Sequence, residues 1–375
     1  MIMGVPREIK NHEYRVALTP EGVHALIKEG HQVLVETTAG AGSGLEDDDY
    51  AFMGAEIVET AEQVYRRAEL ILKVKEPAPP EYDMLRNNQI IFTFLHLARD
   101  KKLTEILLEK KITSVAYETI QLADGRLPLL IPMSEIAGKM VVQIGAHFLE
   151  EPQGGLGILM GGIPGVPPAE VVILGSGTAG ANAARVAVGM GARVTLIDVN
   201  IDRLRYFDEL YNGRVQTLTS NPYNIAKGAA KADLLIGAVL IPGAKAPVLV
   251  TEEMVRRMKP GAVIIDIAVD QGGCIATIDK ITTHSNPIYI KHGVIHYSVG
   301  NIAGAVPFTS TYALTNATLP YVLEIAGTSY RIAAIQNPAL AKGFNTCHGF
   351  ITYQAVAEAH ELPFKPLEEV LKLPI

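Results

Sequence analysis

The chain has 375 residues, 48% hydrophobic and 19% charged, with a formal charge of −7 and two cysteines. That length favours two or three domains at roughly 100 to 200 residues each. The acidic balance, with no Lys/Arg block, argues against a nucleic-acid partner, and no run approaches the roughly 18 apolar residues of a membrane span.

Cys274 and Cys347 lie far apart without CxxC spacing, which suits a reducing compartment. The opening "MIMGVPREIK" meets charges at once and lacks an export-type apolar stretch, so the expected location is cytoplasmic. Ten histidines show no HExxH-like spacing, and no metal is expected.

In chain order, short apolar runs alternate with helical patterns: "IMGVP", "HQVLVET" (31–37), "LILKVK" (70–75), "IIFTFL" (90–95) and "ITSVAYE" (112–118). Between the first two, "TPEGVHALIKEG" reads as a helix with Thr19 as N-cap, Pro20 at its first position and Gly30 as stop. Continuous apolar strands separated by helices indicate a parallel sheet covered on both faces. "PMSEIAGKMVVQIGAHFLEE" predicts a long helix from about residue 132, followed by the Gly/Pro-rich loop "PQGGLGILMGGIPGVPPAE". A second series then begins: "VVILG" (171–175), "RVTLID" (193–198), "ADLLIGAVL" (232–240), "AVIIDIAVD" (262–270) and "GVIHYSVGN" (293–301). After residue 309 the pattern is helical with no new strand series, and this tail is expected to return to the first module.

"VVILGSGTAG" is a strand running into Gly175-x-Gly177-x-x-Gly180 and then a helix of small residues. Gly175 allows the tight turn, Gly177 lets backbone approach a pyrophosphate, and Gly180 allows close helix-to-strand packing. The next strand ends in Asp198, about 20 residues on, where a carboxylate accepts hydrogen bonds from an adenosine ribose. An acid there repels a 2′-phosphate and favours NAD, although Arg203 and Arg205 leave NADP open; a loop-capping role is the alternative for Asp198. The later strand ends, Val239 and Leu240, Ile267 to Asp270 through Ala268 and Val269, and Val299 to Ile302 through Gly300 and Asn301, should line the same crevice. Asp270 falls where the nicotinamide is expected, and Asp266 reads as structural. The expected fold is α/β: two Rossmann-like doubly wound domains, the first discontinuous, joined by two long helices. Residues 1–130 plus 308–375 form the substrate domain and 131–307 the NAD-binding domain.

"GVPREIKNHEYRVALTPEGVHALIKEGHQVLVE", "LKVKEP", "FTFLHLA", "LPLLIPMSEIAG", "MGGIPGV", "GAVLIPGAKAP", "MKPGAVIIDIAVDQGG" and "TSTYALTNATLPYV" span nearly the whole chain. Together they resemble the bacterial L-alanine dehydrogenases. The same fold family includes the NAD-binding subunit of proton-translocating transhydrogenase and the saccharopine and lysine dehydrogenases.

The resemblance implies reversible, NAD-dependent oxidative deamination of L-alanine to pyruvate and ammonium by a homohexamer. It implies that Arg15 and Lys75 bind substrate, that His96 is the acid/base group and Asp270 the second catalytic group. Ser134, Thr178, Ala179, Asp198, Arg203, Ser220, Val239, Leu240, Asp279 and Val299 to Ile302 fall on positions that contact the cofactor in relatives. Ala276 stands where relatives often carry an acid, and Ile302-Ala303 where they carry Met-Pro.

Blander readings stand beside these. Arg15 could form a surface ion pair with Glu8 or Glu13, and His96 could be a satisfied histidine at a strand end. Lys73 shares a face with Lys75 on an ideal strand. For the whole chain, the alternatives are a transhydrogenase-like NAD(H)-binding subunit without small-molecule turnover, a dehydrogenase of another small amino acid such as glycine, and a nucleotide-sensing scaffold.

Overall fold

A computed structural model of the chain describes residues 1–239, 246–269 and 272–373. Among these are the strands β1 Ile2–Val5, β2 Gln32–Glu36, β3 Glu56–Val58, β4 Leu70–Leu72, β5 Ile90–Thr93, β6 Thr113–Ala116, β7 Glu170–Leu174, β8 Arg193–Asp198, β9 Val215–Thr219, β10 Leu234–Gly237, β11 Val263–Asp266, β12 Ile288–Lys291, β13 Val294–Tyr297, β14 Phe344–Cys347 and β15 Phe350–Ile351. The chain divides into two compact units, Met1–Met133 with Val306–Ile375, and Ser134–Ala305. It passes between them in the first turn of helix Ile131–Phe148 and just ahead of helix Pro307–Thr328.

The first unit holds a sheet of order β15-β14-β6-β5-β4-β1-β2-β3. β1 to β6 are all parallel. Counted from β1 they run 3-2-1-4-5-6, the doubly wound order with its switch point between β1 and β4. Alternation along the strands splits the side chains between two cores: Leu70, Leu72, Ile90 and Phe92 pack on one face, Ile71 and Ile91 on the other. Helix Pro20–Lys28 starts as its sequence predicts, with the Thr19 hydroxyl accepting from the Gly22 N–H at 3.4 Å.

The tail departs from the purely helical expectation. It returns to the first unit, but it also contributes β14, antiparallel to β6, and β15, antiparallel to β14. "FNTC" is short and half polar, and its polar side chains are satisfied by β6: the Ser114 and Thr346 hydroxyls lie 2.8 Å apart. That partner is some 230 residues away in sequence, and no local hydrophobic period signals it.

The second unit's sheet has the order β12-β13-β11-β10-β7-β8-β9, parallel except for the antiparallel edge strand β12. Counted from β7 it repeats the 3-2-1-4-5-6 winding. Val171, Ile173, Leu234, Ile236, Val263 and Ile265 pack on one face, and Val172, Leu174, Leu235 and Ile264 on the other. Besides β14 and β15, the strands absent from the sequence reading are β3, β9 and β12, which lie at sheet edges and are only partly buried. The polar residues of β3, "EIV", and β9, "VQTLT", blunt further pairing and weaken the apolar signal, whereas β12, "IYIK", keeps that signal in a run of only four residues. No helix among the described residues is long and apolar enough to cross a membrane.

Candidate active site

Because β1, β4, β5 and β6 are parallel, the segments that follow them leave one edge of the first sheet. The segment after β1 carries Glu8, Glu13 and Arg15; after β4 come Lys73, Lys75 and Glu76; after β5, His96; after β6, Glu118. Open α/β sheets bind ligands at this edge, near the switch point.

The two lysines separate there. β4 ends at Leu72, so the strand alternation that would put Lys73 and Lys75 on one face does not extend to them. Lys73 is fully buried and pairs with Glu8 at 3.2 Å and Glu81 at 2.8 Å, while the Tyr65 hydroxyl donates to Glu81 at 2.8 Å. Burial acts against its charge, but the two carboxylates outweigh it and hold the Lys73 pKa above the usual lysine value. Lys75 has no hydrogen bond or ion pair from its ammonium among the described residues. Burial, and then the nearby Arg15 charge, lower its pKa. A largely buried ammonium left for an incoming anion is what a binding site needs and a structural network avoids.

Arg15 is 2% exposed. Its Nε and Nη2 donate to the two Glu13 carboxylate oxygens at 2.6 and 2.5 Å, and Nη1 lies 3.1 Å from Met133 Sδ. The ion pair with Glu13 is therefore present, but buried and bidentate, not on the surface. Burial pushes the Glu13 carboxyl up, and the Arg15 hydrogen bonds more than offset it, leaving the pKa lowered. This bidentate pair fixes the orientation of the guanidinium fork.

His96 caps a short helical turn, Leu97–Arg99, in the left-handed conformation at φ 51°. Its ring stacks on Phe94 with centroids 6.0 Å apart and planes 5° from parallel. Phe94 in turn meets Tyr117 edge-on at 5.0 Å. The Glu118 carboxylate accepts the N–H of His96 at 2.6 Å and of Leu95 at 3.2 Å, and lies 3.7 Å from His96 Nδ1. Glu76 bonds Lys10 through Oε1, while its Oε2 is buried with no hydrogen-bond partner among the described residues. Burial raises the Glu76 pKa, but Lys10 outweighs it and the net shift is downward. Sequence reasoning named Glu13 only as a possible surface partner of Arg15 and did not single out Glu76 or Glu118. The only available signal was an acid beside a chosen base, and for Glu118 the adjacency of two parallel strands.

In the second unit, β7 ends at Leu174 and Gly175 turns the chain at φ 95°. A Cβ on Gly180 would fall 1.9 Å from the Gly175 carbonyl oxygen, whereas one on Gly177 would meet nothing within 4 Å. Helix Thr178–Gly189 follows with no side-chain cap, so its first N–H groups, from Thr178 and Ala179 onward, open into that space. Such a cradle fits the pyrophosphate of a dinucleotide.

Gly138 packs so closely that an added Cβ would lie 2.1 Å from the Ala179 carbonyl. Ser134, one turn earlier on helix Ile131–Phe148, shares that face. Asp198 ends β8; its oxygens accept the N–H groups of Ser176 at 2.5 Å and Asn200 at 2.8 Å, and its carbonyl accepts from Ser220 at 2.8 Å. The loop-capping role is thus present, and each oxygen keeps a second lone pair for a ribose hydroxyl. Arg203 donates from Nε to the Ser176 carbonyl at 2.8 Å and lies 5.6 Å over the Phe207 ring.

Val239 follows β10 beside Gly175, with Cγ2 3.0 Å from where a Gly175 Cβ would stand. Ile267, Ala268 and Val269 follow β11, and Val299, Gly300, Asn301 and Ile302 follow β13. Asp266, fully buried, accepts the Ala268 N–H at 3.0 Å and the Cys274 N–H at 2.6 Å. Asp279 is tied instead to Lys291 of the edge strand β12 at 2.9 Å, which lowers its pKa. Leu240 and Asp270 lie outside the described residues.

Two doubly wound sheets, one with a glycine-lined helix start and an acid at the next strand end, define a two-module α/β protein of the Rossmann type. A family model described as "Alanine dehydrogenase/PNT, N-terminal domain" matches residues 4–137, and one described as "Alanine dehydrogenase/PNT, C-terminal domain" matches residues 141–354. The chain belongs to this family. It is 60% identical to an alanine dehydrogenase of Methanococcus maripaludis over 371 residues, which is 99% of this chain and all of that protein. It is 56% identical to alanine dehydrogenase 2 of Staphylococcus aureus over 373 residues, all of both chains. A solved L-alanine dehydrogenase superposes with a TM-score of 0.93 at 49% identity, covering 96% of this chain and 99% of that one. A transhydrogenase from Sinorhizobium meliloti gives 0.79 at 25% identity, covering 95% and 100%.

Proposed function

We infer that the chain is an amino-acid dehydrogenase that converts L-alanine, water and NAD to pyruvate, ammonium, NADH and a proton, reversibly. The observation that carries this beyond family likeness is the grouping of Arg15, Lys75 and His96 after neighbouring parallel strands of one sheet edge. Binding a nucleotide alone requires no such set.

Arg15, oriented by Glu13, takes the substrate carboxylate, and Lys75 contacts that carboxylate or the keto oxygen, polarising the carbonyl in the reductive direction. His96 accepts a proton as water adds to the imine and returns one as the carbinolamine collapses to pyruvate and ammonia. An imidazole serves both directions near neutral pH with little tuning. Asp270 orients water or ammonia and stabilises the cationic intermediates.

NAD, when bound, accepts the hydride from Cα. The cradle of Gly175, Gly177 and Gly180, with Thr178 and Ala179, would hold its pyrophosphate, Asp198 the ribose, and Ser134, Arg203, Ser220, Val239, Leu240, Ile267 to Asp270 and Val299 to Ile302 its remainder. Asp279 belongs to this set only if its pair with Lys291 opens.

Assembly as a homohexamer is part of the proposal, supported by exposed Phe52, Phe308 and Ile335 at 86%, 59% and 70%. Light scattering should return a mass of several chains. The function itself is tested by NADH formation over a panel of small amino acids, with pyruvate and ammonium as the reverse check. Binding of NADH without any amino-acid-dependent turnover would instead favour the transhydrogenase-like reading.

A further inference from the structure

We propose that Glu118 is the positioning residue of His96: its carboxylate fixes the left-handed turn that carries the imidazole and holds the Nδ1 side, presenting Nε2 to the substrate. The proposal rests on the proton-transfer role given to His96 above.

Three contacts converge on the one carboxylate. The N–H groups of Leu95 and His96 both donate to it, at 3.2 and 2.6 Å. Those bonds stabilise a residue held at φ 51°, a conformation that a side chain with a Cβ adopts only when its surroundings enforce it. The third contact, 3.7 Å from Oε1 to Nδ1, places the carboxylate where it favours a proton on that nitrogen and not on Nε2. Phe94, stacked on the imidazole, fixes the plane, and the carboxylate fixes which nitrogen faces it. A carboxylate oriented in this way against the far nitrogen is how histidine tautomers are selected.

The other charges acting here are accounted for. Glu76, from the segment after β4, also lies close enough to act on His96, but its Oε1 is bonded to Lys10. Lys75 adjoins Glu76 in sequence, and Tyr353 lies near Glu118, which raises the tyrosine's pKa behind burial. Backbone capping alone needs only an acceptor, which a carboxamide oxygen also supplies; the charge is what the contact to Nδ1 uses. This separates a positioning role from a structural one.

The test is Glu118→Gln beside Glu118→Asp, in the full chain. Glu118→Gln is expected to keep NADH binding and to lose at least tenfold in kcat with little change in the alanine KM. Glu118→Asp retains the charge and should recover part of that loss. The same positioning is read without turnover from the rate of His96 modification by diethyl pyrocarbonate at one fixed pH, followed by peptide mass, which should change severalfold in Glu118→Gln and less in Glu118→Asp. If Glu118→Gln does not fold, Glu118→Asp decides in both measurements. A kcat and a modification rate at their wild-type values in every folded variant overturn the proposal. Absence of turnover in the wild type would count against the dehydrogenase reading and leave the modification rate to decide this one.

Discussion

Lys73 and Lys75 have identical chemistry two residues apart, and surroundings alone give them opposite tasks. Lys73 sits between two carboxylates, whereas Lys75 is burdened by burial and by the Arg15 charge. A lysine whose folded pKa is lowered opposes folding while protonated, and that cost fades as pH rises through the folded pKa. Lys75→Met should therefore raise Tm at neutral pH, by roughly 2–4 °C for about 1 kcal/mol relieved, while cutting kcat/KM for alanine by about a hundredfold or more. Lys73→Met should do the reverse in stability, stranding Glu8 and Glu81 at a cost of about 3 kcal/mol. Thermal melts at pH 7 compare the two.

In the wild type, KM for pyruvate should rise on the alkaline side at a pH below that of an ordinary lysine, because Lys75 loses its proton there; an initial-rate pH series reads this. The sequence marks both lysines, yet strand alternation could not choose between them, because β4 stops at Leu72. The motif chose Lys75, and the two lysines do differ in surroundings, Lys73 lying between carboxylates and Lys75 beside the Arg15 charge. Glu118 was not legible at all: only the pairing of β5 with β6 brings it to His96.

Among elements, the glycine-lined helix start was the most legible, since the turn, the close approach and the following acid each leave a residue-level mark. Gly180→Ala would force a Cβ to 1.9 Å from a carbonyl oxygen. We expect it to weaken NADH binding at least tenfold and to cost about 1–3 kcal/mol, checked by fluorescence titration and chemical denaturation. Asp198→Asn removes the charge and leaves one carboxamide oxygen where two carboxylate oxygens accept from Ser176 and Asn200, so the loop cap should weaken and the ratio of NADP to NAD turnover should rise. Equal ratios would leave Asp198 as a loop cap only. The edge strands β3 and β9 were not legible, because partial exposure at a sheet edge replaces apolar residues with polar ones; β12, "IYIK", is apolar but only four residues long.

For the whole molecule, the alternating apolar runs identify two α/β modules, and the helical pattern after residue 309 points back to the first. What that pattern hides is how the return is made. The Thr311 hydroxyl on helix Pro307–Thr328 accepts the Val16 N–H at 3.1 Å and meets Ser43 Oγ at 2.8 Å, tying the tail to the segment that bears Arg15. Thr311→Val should cost about 1–3 kcal/mol by stranding those groups, visible in a denaturation curve, and should raise the alanine KM. Such long-range bonds have no sequence period.

The central claim, that this sheet edge deaminates L-alanine through His96, is tested most directly by NADH absorbance with NAD and L-alanine, for the wild type and His96→Ala side by side. The wild type should form NADH only when L-alanine is present, and His96→Ala, folded to the same Tm, should be slower by about a hundredfold or more. No alanine-dependent NADH from the wild type, or a wild-type rate from His96→Ala, would contradict it.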